Sequence, residues 1–117
     1  MFVACQLTPD PTGVNEFNTA TGAKPTLFAD SDSGTVNIVA ATSNGAAVAL
    51  NADGSVTFTA AAGLNIFDLA FAGSDPTEVF RIKENCGGSS QLLVNWRLTA
   101  TPIDPGGPSR EIRVHAA

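Results

Sequence analysis

Apolar residues recur at every second position over much of the chain, in runs too short for helices. In Val79 to Glu84, Phe80 and Ile82 alternate with Arg81 and Lys83. In Gln91 to Thr101, Leu92, Val94, Trp96 and Leu98 fall on one face and Leu93, Asn95, Arg97 and Thr99 on the other. A period of two is that of an extended strand with one buried side. Val36 and Ile38 alternate in the same way with Thr35, Asn37 and Val39, and Ile112 and Val114 carry the pattern through Arg110 to Ala116. Phe2 to Leu7 is apolar enough for a first strand, and Thr26 to Ala29 for a short one. Ala60 to Phe71 holds two patterns at once. Phe67, Leu69 and Phe71 alternate with Ile66, Asp68 and Ala70, whereas Leu64, Phe67 and Phe71 also fit helical spacing behind the helix-friendly Ala60-Ala61-Ala62. A strand from Asn65 to Ala72 is the expectation.

Turn residues separate these runs. Asp30-Ser31-Asp32-Ser33-Gly34, Asn44-Gly45 and Asp75-Pro76 are turns by composition. Ala46 to Leu50 and Ser55 to Thr59 flank Asn51-Ala52-Asp53-Gly54, with Val48, Leu50, Val56 and Phe58 facing inward, and read as the clearest hairpin. Asn85 to Ser90 is a looser hairpin loop, and Pro102 to Ser109 a Pro/Gly loop. Thr8 to Pro25 is polar and carries Pro9, Pro11, Gly13, Gly22 and Pro25. That is longer than a usual connection, so residues 8–25 are expected to form a long loop or an extended arm. About eight or nine short strands without crossover helices predict an all-β fold, an antiparallel β-sandwich of Ig-like or jelly-roll type. The expected core is Phe28, Ile38, Phe58, Phe67, Leu69, Phe71, Phe80, Ile82, Val94, Trp96 and Leu98, each large side chain contributing ~1.5–3 kcal/mol on burial.

Composition agrees with this reading and narrows the function. The 117 residues suit one domain spanning 1–117, with Gly 11, Pro 7 and few Lys or Glu. The net charge of −5 and the scatter of Lys24, Arg81, Lys83, Arg97, Arg110 and Arg113 offer no basic stripe, so nucleic acid is not an expected partner. No apolar run approaches the ~20 residues needed to span a bilayer. Val3-Ala4-Cys5 superficially resembles a lipobox, but it lacks the charged and apolar segments of a signal peptide. The chain is therefore expected to be made in the cytosol and either used there or released by a route such as lysis.

Candidate chemistry is sparse. Cys5 and Cys86 are the only cysteines. Two buried or partly buried thiols are the first expectation, and a disulfide clamping the N-terminal strand to a later hairpin is the alternative; too few ligands accompany them for zinc. His115, the single histidine, has no nucleophile or orienting acid at a recognisable spacing and reads as a solvated or edge-strand residue. Cys86, beside Gly87-Gly88, has only Lys83 near in sequence to lower its pKa and reads as a hairpin cysteine. Asp30-x-Asp32-x-Gly34, with Asp53 or Asp10 nearby, opens like a calcium loop but lacks the further ligands, so turn chemistry accounts for it. Trp96 could stack on a sugar, but its place in mid-strand assigns it to the core. No catalytic residue, cofactor or metal is expected. What remains is surface: strand edges, the 8–25 segment and the 102–109 loop.

A small, acidic, Ala/Gly/Thr-rich sandwich, an initiator Met without a signal, the Asn51-Ala52-Asp53-Gly54 hairpin and the long polar N-terminal stretch together resemble the Ig-like or jelly-roll accessory proteins of tailed bacteriophages. These are head-decoration (cement) proteins and short fibre or tail-surface modules. The resemblance covers the whole chain and carries no functional residue with it. It implies a non-enzymatic virion protein that binds the major capsid protein, or other virion subunits, of an assembled shell, as a monomer or homo-trimer. On that view residues 8–25 lie in a groove of the shell through Val14 and Phe17, with Lys24 and Ile103 completing the contact set. The alternative is a carbohydrate- or protein-binding adhesion module of a tail fibre or bacterial surface. That role calls for an exposed aromatic platform, which a chain with no Tyr and an inward Trp96 does not offer.

Overall fold

The structure is a computed structural model that describes residues 5–13, 15–98 and 109–117. Every regular element among them is a strand: β1 (Thr8–Pro9), β2 (Glu16–Thr19), β3 (Thr26–Ser31), β4 (Asn37–Ser43), β5 (Ala46–Ala47), β6 (Val56–Thr57), β7 (Gly63–Ala72), β8 (Val79–Asn85), β9 (Ser90–Arg97) and β10 (Ser109–Ala116). They form a six-stranded sheet in the order β1-β2-β10-β7-β4-β5 and a four-stranded sheet in the order β6-β3-β8-β9. The all-β, two-sheet, sandwich-like arrangement is the one the alternating pattern predicts. No helix among the described residues is long and apolar enough to cross a membrane.

The core lies between the sheets and is built from the inward parity of each strand. Phe67, Leu69 and Phe71 of β7, Ile112 and Val114 of β10, Phe80 and Ile82 of β8 and Val94 of β9 are all buried. The expected strand over 65–72 therefore exists, begins two residues earlier, and buries the face that the period of two selected. Aromatic rings join the two sheets. Phe58 stacks on Phe67 with ring centroids 4.1 Å apart, and Phe71 meets Phe80 at 4.7 Å and Trp96 at 5.9 Å. Trp96 thus packs on the core from a half-buried position. Aromatic contacts of this kind contribute about 0.5–1.5 kcal/mol each beyond area burial.

Several expectations are corrected. Residues 8–25 are not an arm: β1 and β2 pair antiparallel, and β2 adds parallel to β10, because Phe17, 3% exposed, completes the core beside Val114. Among the described residues one parallel pair therefore sits with otherwise antiparallel ones. Cys5 to Leu7 forms no strand, although Leu7 is buried; Phe2 to Ala4 lie outside the described residues. The Asn51–Gly54 turn closes as expected, Gly54 N donating to Asn51 O at 2.9 Å. Its flanks do not pair with each other, however. β5 pairs with β4 and β6 with β3, so the turn carries the chain between sheets. Phe28 is half-buried outside the core, and Leu27, 0% exposed, takes the inward place. Leu92 is 48% exposed because the β8–β9 register shifts between Ile82 and Lys83, which leaves Leu93 unpaired and packed against the core. A bulge inserts one residue and reverses the parity beyond it.

The cysteines are joined. Cys5 and Cys86 form a disulfide with a Cα–Cα distance of 4.8 Å. Glu84 is fully buried beside it, and its carboxyl oxygens accept hydrogen bonds from Gln6 N at 2.8 Å, Leu7 N at 3.1 Å and Gln91 Nε2 at 2.8 Å.

Candidate interaction surface

The outer face of the four-stranded sheet is set by the same registers as the core. Phe28, Lys83 and Leu92 lie in one row across β3, β8 and β9, and Asp30, Arg81 and Asn95 in the next. Arg81 and Lys83, outward by alternation, meet Asp30 of β3 and Asp32 of the turn that follows it. Lys83 Nζ is 2.8 Å from Asp30 Oδ2, Arg81 Nε 3.3 Å from the same oxygen, and Arg81 Nη2 2.8 Å from Asp32 Oδ1. The Lys83 ammonium, followed by the Arg81 guanidinium, holds the Asp30 carboxyl below the ordinary carboxylate range. Asp32, followed by Asp30, raises Arg81. Asp30 faces Arg81 directly across the strand pair and Lys83 diagonally, so opposite charges fix the side chains of the face. Asp30 and Asp32 are thus engaged by cations, and Asp53 by the Ser55 hydroxyl and amide of its own turn.

Around this network apolar surface is left open. Leu92 is 48% and Val79 45% exposed, and both sit outside the core-facing rows. Among the described residues β9 is the last strand of its sheet, and one row of its backbone groups has no strand partner there. It carries no Pro and one charged residue, Arg97, at its end. Natural edge strands are usually blunted by charge, Pro or bulges; within β9 itself the device is the bulge at Leu93, with Arg97 at the far end of the strand. The outer face of the six-stranded sheet differs in character. It has a shallow depression lined by Ala40, Thr42, Asp68 and Ala70, where a second bulge leaves Val39 52% exposed.

The residues expected to touch a partner are not brought together. Phe17 is committed to the core. Lys24 is exposed, its backbone bridged to the Gln6 side-chain amide by bonds of 2.9 and 3.2 Å. Val14 and Ile103 lie outside the described residues. His115 belongs to β10, an interior strand rather than an edge, and its Nε2 lies 2.8 Å from Glu16 Oε1. Cys86 has its sulfur tied to Cys5. Leu92 and Val79 escaped the sequence reading for different reasons. The bulge that turns Leu92 outward leaves no mark in a Leu-Leu-Val run, whereas the outward parity of Val79 was legible from Phe80. Comparison with protein families, with curated proteins and with solved structures finds no match for the chain.

Proposed function

We propose that the protein is a non-enzymatic structural protein of a virus particle, a capsid decoration protein that binds and stabilises an assembled phage shell. The observation that carries this reading is the outer face of the four-stranded sheet. A surface on which exposed Leu92 and Val79 flank the internally paired Asp30–Arg81–Lys83 network, beside the β9 edge that is open among the described residues, has the make-up of a protein contact: apolar anchors beside fixed polar groups. The Cys5–Cys86 disulfide adds support, because such bonds persist in oxidising surroundings like those of a released particle. At the finer level the fold we propose is a sandwich of Ig-like or jelly-roll type. β7 pairs with β10 while the β8–β9 hairpin, which follows β7 and precedes β10, lies in the other sheet. That is one ribbon folded across both sheets, a crossing shared by double-sheet jelly rolls and by the C, D, E and F strands of an Ig fold.

The test is co-sedimentation of the purified chain with assembled shells of the phage that encodes it. The parent chain should pellet with the shells, and L92D/V79D should stay in the supernatant with an unchanged β circular-dichroism spectrum. A parent chain that does not pellet, or a double variant that pellets equally well, overturns the assignment of this face to shell binding.

A further inference from the structure

Away from that face, on the outer side of the six-stranded sheet, three side chains distant in sequence converge. One ligand atom each from Asp10, Glu16 and His115 lie within 4.8 Å of one another, and all three residues are half-buried. The parallel β2–β10 pairing sets Glu16 opposite Arg113 and Asn18 opposite His115. Glu16 reaches along the strand so that its Oε1 lies 2.8 Å from His115 Nε2. Arg113, its register partner, turns instead toward Glu111 at 3.8 Å. Two acids are therefore gathered around one imidazole.

The surroundings hold this geometry. Thr12 donates to Asp10 Oδ1 through its amide at 3.0 Å and its hydroxyl at 2.7 Å. Those two bonds lower the Asp10 carboxyl below its ordinary range, the Asn18 side chain adding to them. Gly13 gives Glu16 its place: a Cβ at that position would lie 2.5 Å from Glu16 Cδ and 2.6 Å from Oε2. The Thr12 bonds are those of an Asx turn, as at Asp53, and with the Gly13 packing they hold both carboxyl groups in place beside the imidazole. The spacing fits a metal ion. A tetrahedral ion with bonds of about 2.0–2.1 Å separates its ligands by roughly 3.3 Å, inside the range spanned by the 2.8 Å pair and the 4.8 Å limit.

We propose that Asp10, Glu16 and His115 form a binding site for a borderline divalent transition ion, Zn²⁺ being the best match. One imidazole and two carboxylates without thiolate select zinc, cobalt or manganese over calcium, which takes oxygen ligands alone. Three protein ligands leave at least one position for water or for a group of a partner. The bound ion ties the β1–β2 hairpin to β10 and so adds stability to the folded chain. The site is independent of the shell-binding reading.

Titration calorimetry of the purified, disulfide-bonded chain with Zn²⁺ is expected to give one ion per chain. Co²⁺ is expected to give the visible absorption of a low-symmetry site, and Zn²⁺ to raise the melting temperature by several degrees, reversibly with EDTA. H115A and E16Q should each weaken Zn²⁺ binding at least tenfold, and G13A, which displaces Glu16 without removing a ligand, should weaken it too. D30N, on the other sheet, should bind as the parent does. E16Q preserves side-chain size, and melting in EDTA shows whether each variant is folded. Binding that survives both H115A and E16Q, or no binding of Zn²⁺, Co²⁺ or Mn²⁺ at millimolar metal, overturns the site.

Discussion

Glu84 occupies an inward position of β8, next in parity after Phe80 and Ile82, where the alternation calls for an apolar side chain. It is 1% exposed, and its three N–H donors come from Gln6, Leu7 and Gln91. Cys5 to Leu7 belongs to no strand, so its buried amides need acceptors from elsewhere, and this carboxyl group supplies them. Asn65 solves a similar problem from β7. Fully buried, it accepts from Ala61 N at 3.0 Å and donates to the carbonyls of Ala61, at 2.8 Å, and Val114, at 3.2 Å. Among the described residues no buried side-chain polar atom lacks a partner. An E84Q substitution keeps the volume but turns one acceptor into a donor facing other donors. It is expected to cost about 1–3 kcal/mol, read as a lower urea midpoint at unchanged slope. A midpoint equal to the parent's would mean that the amides of Gln6 and Leu7 find other acceptors.

Strands were legible where one face alone is apolar. β7 and β8 follow their alternation, and Asn44-Gly45 forms the tight β4–β5 turn with φ of 52° and 85°, the left-handed pair that such a turn demands. Pairing partners were not legible. The Asn51–Gly54 turn has the right residues, but whether its flanks pair with each other or with β4 and β3 is decided by distant strands. β2 holds Phe17 as its single buried residue, too little pattern to announce a strand before β10 is in place beside it. The bulge at Leu93 is hidden for the opposite reason, since Leu92, Leu93 and Val94 are apolar on both faces and any register would satisfy them. This register makes a definite claim about the two leucines. Leu92→Ala should change stability within about 0.5 kcal/mol, as surface substitutions do. Leu93→Ala, which removes a side chain packed on the core, should cost ~1–2 kcal/mol, less than the 2–5 of a fully buried leucine. The reverse order in chemical denaturation would mean that β9 pairs without a bulge.

At the scale of the whole molecule, the early segment Cys5 to Leu7 and the C-terminal strand are held by different means. The C-terminal strand lies between β2 and β7 and closes on the early chain through Ala117 N to Thr19 O at 3.2 Å and Thr21 N to Ala117 O at 3.1 Å. Cys5 to Leu7 belongs to no strand and is held by a bond and a buried carboxyl group, the Cys5–Cys86 disulfide and Glu84. The disulfide spans 81 residues of sequence, so by the chain-entropy estimate its loss destabilises the fold by up to ~4.5 kcal/mol, a large part of the 5–15 kcal/mol typical of a domain. The disulfide grips Cys5 and the carboxyl group the adjoining Gln6 and Leu7, and so they should not act independently. Once C5S/C86S has freed the segment, Gln6 and Leu7 can leave Glu84, and much of what E84Q costs in the parent is already lost. The triple variant C5S/C86S/E84Q is therefore expected to be more stable than the sum of the separate losses predicts, by at least ~0.5 kcal/mol. Strict additivity in denaturant titrations would show that the carboxyl group holds the segment in place even when the disulfide is gone.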